Sequence, residues 1–207
     1  MNNNRLNSRL FGVFFIISFL AYGIGNSLLM VDEGTASLTD TLQSRFLIGG
    51  ILMSLVHTLT NTSLVVIAHG WFRKLNPTLA NGYLGLGLLS TMFLAMGGVV
   101  LLGSATVGGE VLSQTVFDFG SQTNFFAYQM GMAIWSIVGF LLCYLLLKGN
   151  FVPKWLPIWG YVGYAIFLVG ILLELAGFSY GVAMSIPGGL FEITLSVWVI
   201  WKGVRKL

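Results

Sequence analysis

The chain has 207 residues, of which 56% are hydrophobic and only 8% charged, with a formal net charge of +3. Soluble domains carry about 25% charged residues, so too little polar surface is present to cover a water-soluble globule. The basic residues stand in pairs and triplets at the ends of apolar runs, with no basic stripe and interleaved aromatics, which argues against a nucleic-acid partner.

Six segments reach the roughly 20 apolar residues that cross a bilayer, and the expected fold is an all-α, polytopic bundle of six transmembrane helices in one domain. The first spans about 10–30 behind Arg5 and Arg9. It is too long for a signal-peptide core, and Ala21-Tyr22-Gly23 is a poor cleavage site, so an uncleaved span is expected. An acidic connection, 31–45, leads to the second span at 46–72. That span is rich in Ser, Thr and Asn, without Pro and without Gly between Gly50 and Gly70, and reads as one tilted helix. Its glycosylation sequon, Asn61-Thr62-Ser63, lies mid-span and reads as chance. A short basic turn holding Arg73 and Lys74 precedes span three at 79–105. A second acidic connection, 106–124, leads to span four at 125–147, which holds the sole cysteine, Cys143. One cysteine allows no intrachain disulfide and no Cys-based metal or redox motif. A turn carrying Lys148 and Lys154 leads to span five at 157–178, and span six covers 188–203. Gly82-Tyr83-Leu84-Gly85 and Gly160-Tyr161-Val162-Gly163 open spans three and five as a faint internal repeat.

Charge sets the expected orientation. Nine of the ten Lys and Arg residues fall in segments that share one side of a membrane, and five of the seven acids fall in the others. Lys and Arg beside a span stay cytoplasmic, so both termini are expected inside. Trp71, Trp155, Trp159, Trp198 and Trp201 form an interfacial belt at the same end, and Trp135 alone falls outside it.

Ionisable groups at membrane depth usually face a bundle interior or a wet cavity. Here they are His57, Glu174 and Glu192, with His69 nearer the cytoplasmic end. At a rise of about 1.5 Å per residue, the span bounds put both acids roughly 6 Å from the external end and His57 roughly 16 Å deep. Gly163, Gly170 and Gly177 recur every seven residues, with Glu174 on the same packing stripe. Gly189, Glu192, Ser196 and Gly203 share a face, as do Gly50, Ser54, His57, Asn61 and Ala68. Ser18, Tyr22 and Asn26 form a polar line on span one. Tyr22, His57, Asn61, Glu174, Glu192 and Ser196 are therefore expected around one outward-opening cavity. The external Arg45 should pair with Glu192 or Glu174 across its mouth, or with Asp40 locally. The plainer alternative is that the acids reach interfacial water or bond a neighbouring helix.

Several chemistries fail. His57 and His69 lie roughly 18 Å apart along one helix and cannot share a haem. The differing depths of His57 and the two acids do not suit zinc, and no metal site is expected. No nucleophile elbow, P-loop or dinucleotide fingerprint is present, so no cofactor is expected.

Phe140-Leu141-Leu142-Cys143-Tyr144-Leu145-Leu146-Leu147-Lys148-Gly149-Asn150-Phe151-Val152-Pro153 runs on to Gly160-Tyr161. Later comes Phe191-Glu192-Ile193-Thr194-Leu195-Ser196-Val197-Trp198-Val199-Ile200-Trp201-Lys202-Gly203. These stretches, with Arg45 and with Asn76-Pro77 before Gly82-Tyr83, resemble the bacterial membrane family called domain of unknown function 4386. The resemblance implies a bacterial six-span fold in the inner membrane and marks Glu192 and Arg45. It brings no activity. Where the family pattern carries an Arg and a Glu early in span three, this chain has Gly87 and Ser90.

The reading is a non-enzymatic integral membrane protein that binds or moves a small or lipophilic ligand, or serves as a membrane partner of another protein or of itself, in contact with membrane lipids. The alternative is a membrane enzyme acting on a lipid or quinone, with Glu192 or Glu174 as acid or base and His57 as partner.

Overall fold

The structure is a computed structural model that describes residues 3–29, 40–107 and 114–205. Its elements are α1 (Asn3–Leu29), α2 (Asp40–Ile51), a π-helical turn (Leu52–Val56), α3 (His57–Phe72), α4 (Pro77–Val107), α5 (Gln114–Lys148), α6 (Trp155–Leu175) and α7 (Gly181–Trp201). The turn joins α2 to α3 in one run, so among the described residues six helices are long and apolar enough to cross a membrane.

Several bounds differ from the sequence reading. α2 and α5 extend into segments read as external connections, from Asp40 and Gln114. α7 starts at Gly181 rather than 188 and continues through Pro187. Proline there removes one donor, and its level is where α6 and α7 cross: a Cβ on Gly163 would stand 2.9–3.1 Å from backbone atoms of Pro187 and Gly188. Two helices can approach this closely in lipid only where side chains are absent.

Gly177 does not continue the packing stripe of Gly163 and Gly170. Its φ is +90°, the Gly177 N–H donates to Glu174 O and the Phe178 N–H to Leu173 O, a Schellman ending for α6. Asn150, at φ +48°, ends α5 in the same way, and Gly203, at φ +74°, comes just after α7. The proposed repeat also divides. Tyr83 is buried between exposed Gly82 and Gly85, whereas Tyr161 is half-buried between buried Gly160 and Gly163.

The helices form a closed ring in chain order. α1 packs on α3, α3 on α4, α4 on α5, α5 on α6, α6 on α7, and α7 returns to α1. At the last contact a Cβ on Gly12 would lie 2.6 Å from Ser196 O. Outward positions are apolar on every span, among them Ile17, Leu59, Met92, Ile137, Leu172 and Val197. An exposed apolar surface of this extent suits lipid. All described Lys and Arg residues are exposed.

The packed core fills one end of the ring. It joins Phe11 and Phe15 on α1 to Leu64, Ala68 and Phe72 on α3, Ala80 and Tyr83 on α4, Trp135, Leu142 and Leu146 on α5, Leu156 and Tyr164 on α6, and Phe191, Leu195 and Val199 on α7. This is the end that carries the basic turns. Phe151 lies within it, and its carbonyl accepts the N–H of Arg205 at 2.9 Å.

Candidate functional site

Where the packed core ends, the ring encloses a cavity of about 250 Å³. Six helices line it: α1 with Phe15, Ser18, Phe19, Tyr22 and Gly23; α3 with His57 and Asn61; α4 with Leu94; α5 with Tyr128, Met132 and Trp135; α6 with Tyr164 and Phe167; and α7 with Ser185, Gly188, Gly189 and Glu192. Glu192 is the sole carboxylate among these residues, and none is Lys or Arg.

Glu192 lies near the middle of α7, not close to its external end, because the helix starts well before 188. Its Oε1 accepts two hydrogen bonds, from Trp135 Nε1 at 2.9 Å and from Tyr164 Oη at 2.8 Å. Oε2 takes part in neither. The Tyr164 ring reaches this position by lying directly over Gly139, where any Cβ would collide with ring carbons.

His57 stands directly after the π turn. An added residue in a helical turn rotates the preceding side chains relative to the succeeding ones. The buried face therefore reads Gly50, Met53, His57, Asn61 and Ala68, with Ser54 half-buried and donating to Gly50 O. His57 meets Tyr22 edge to face at 5.1 Å between ring centres, and Tyr22 stacks on Tyr128 at 5.6 Å. Tyr22 Oη and His57 Nδ1 are buried and have no hydrogen-bond partner among the described residues. Asn61 is occupied: its Nδ2 donates to Thr91 Oγ1 at 2.7 Å, and its Oδ1 accepts from Ser18 Oγ at 3.4 Å.

Of the residues expected around the cavity, Tyr22, His57, Asn61 and Glu192 line it, and Glu174, Ser196 and Arg45 do not. Glu174 is at the end of α6, one position before its last residue, so the two acids do not share a level. Its carboxylate caps the next helix, accepting the Gly181 N–H on Oε1 at 3.1 Å and Gln129 Nε2 on Oε2 at 2.5 Å. Ser196 spends its hydroxyl on its own helix, donating to Glu192 O at 2.7 Å. Arg45 is exposed, and both carboxylates expected across the mouth have other donors. The Asp40 side chain lies outside the described residues. A Cβ on Gly87 would stand 3.0 Å from both Val65 methyls, and buried Ser90 donates to Gly131 O.

Trp135, Tyr164, Tyr128 and Gln129 belong to these networks without having been expected there. Trp135 carried a signal, as the one tryptophan away from the interfacial belt. A buried indole N–H needs an acceptor. The tyrosines and Gln129 had no distinguishing spacing.

The sequence model of a family described as Domain of unknown function (DUF4386) matches residues 10–203, nearly the whole chain. Comparison with curated proteins and with solved structures finds no match.

Proposed function

The chain belongs to the family described as domain of unknown function (DUF4386), and on that premise we propose that it is a non-enzymatic integral membrane protein whose cavity binds a small lipophilic ligand, to hold it or to pass it across the bilayer. The observation that carries this reading is the cavity itself. Pockets for small molecules are mostly apolar with a few convergent polar groups, and here one carboxylate, one imidazole and three tyrosines face a space walled also by Phe, Leu, Met and Gly. The basic end of the ring would be cytoplasmic, in a bacterial inner membrane, with lipid covering the outward Leu, Val and Ile side chains. The packed core closes that end, so the ligand would arrive from the external side or from the outer leaflet.

Gly189 provides the test. A Cβ there meets only Phe19 carbons, at 3.5 and 3.7 Å, which is ordinary contact. Gly189→Leu should therefore fill the cavity and leave the backbone in place. A neutral medium-chain alcohol carrying a diazirine, photolysed with the purified protein in lipid nanodiscs, should label cavity residues such as Met132 and Glu192, and far less in the variant. Labels confined to lipid-facing side chains in both proteins would overturn the binding reading. A second reading, an enzyme acting on a lipid or quinone, draws on His57 and Glu192 facing one cavity. A chemically altered lipid or quinone after incubation with the protein would favour it.

A further inference from the structure

We infer that the ligand class of this cavity is a small lipophilic organic cation, a protonated amine or a quaternary ammonium; the inference rests on the binding reading above. Glu192 is buried, and both of its partners are neutral donors on a single oxygen. No Lys or Arg lines the cavity, and every described Lys and Arg side chain is exposed. A buried carboxylate without a counter-charge is costly. What the site lacks is a positive charge, and a ligand can bring it.

The walls suit the same class. Phe15, Tyr22, Tyr128, Trp135 and Tyr164 line the cavity together with Glu192. Aromatic rings attract a cation through their quadrupoles, and the attraction grows when water is excluded. A protonated amine would also find acceptors. Oε2 of Glu192 is outside both of these hydrogen bonds, and Tyr22 Oη and His57 Nδ1 have no partner among the described residues. An anionic ligand would meet a carboxylate and no Lys or Arg, His57 being the one imidazole in the wall.

The experiment compares two shape-matched probes on the full chain in zwitterionic nanodiscs at neutral pH. Benzyltrimethylammonium carries the charge, and neopentylbenzene places carbon where the cation has nitrogen. Binding is read by quenching of tryptophan fluorescence and by saturation-transfer NMR. The cation should bind at least about tenfold more tightly than the hydrocarbon, since each factor of ten needs about 1.4 kcal/mol. Glu192→Gln, which keeps an oxygen for Trp135 and Tyr164, should lose that preference. Equal binding of the two probes would overturn the cation inference and leave the lipophilic cavity standing. Binding of neither, with diazirine labelling of the cavity also absent, would overturn both. The wild-type comparison alone decides if Glu192→Gln fails to fold.

Discussion

Tyr164 joins two helices through one hydroxyl. It is almost fully buried, and its Oη donates to Glu192 Oε1 at 2.8 Å. Tyr164→Phe keeps the ring over Gly139 and removes only that donor, leaving Glu192 with Trp135. The expected loss is about 1–2 kcal/mol of stability, the usual cost of leaving a buried acceptor under-satisfied, measured by chemical unfolding in micelles. Paired with Glu192→Leu, which removes the acceptor, in a double-mutant cycle, the two changes should not be additive, because each removes one side of the same bond. Additive losses would show that the Tyr164 hydroxyl stabilises independently of Glu192. At this scale the sequence exposes Glu192 and His57, since charge at membrane depth is rare. It does not expose what they touch. Trp135 and Tyr164 lie on other helices, and Glu174 becomes a helix cap only because α6 ends beside it.

Glycines decide how the elements meet, and they do so in three ways. Gly163 permits a crossing, Gly139 seats a ring, and Gly177 ends a helix with positive φ. Gly163→Ala would place its Cβ within 2.9–3.1 Å of α7 backbone atoms, which cannot rotate away. Separation of α6 from α7 should cost about 1–3 kcal/mol and lower the thermal midpoint. Gly85 is the contrast, exposed within α4 and with nothing within 4 Å of an added Cβ. Gly85→Ala should stabilise by about 0.5–1 kcal/mol through helix propensity. Equal effects at the two sites would refute the assignment of Gly163 to the crossing. A seven-residue spacing places Gly163, Gly170 and Gly177 on one stripe, yet only a helix boundary tells a packing glycine from a terminating one. That boundary is set by hydrogen bonds from Gly177 and Phe178, which spacing does not report.

Across the whole molecule, closure of the ring separates a packed half from a hollow half. The packed half coincides with the basic turns and the hollow half with the opposite end. The proposed orientation puts the hollow half outside. Ser179 is exposed between α6 and α7, and Lys154 is exposed at the other end of α6. In intact cells a cysteine replacing Ser179 should react with a membrane-impermeant maleimide, and one replacing Lys154 should react only after permeabilisation. The native Cys143 is buried and should remain silent. The opposite labelling order would invert the orientation and place the cavity on the cytoplasmic side.

Six apolar helices, their approximate places and the clustering of positive charge at one end are set by the sequence alone. Each depends on length, hydropathy and charge, which are local properties that a bilayer reads one segment at a time. The closed ring, the π turn before His57, the start of α7 at Gly181 and the grip of Trp135 and Tyr164 on Glu192 came only with the tertiary structure. In a bundle whose helices are apolar on nearly every side, periodicity no longer marks an inner face. Which polar groups meet is then set by where backbones can approach, as at Gly12, Gly139 and Gly163, and close approach is a relation between distant parts of the chain.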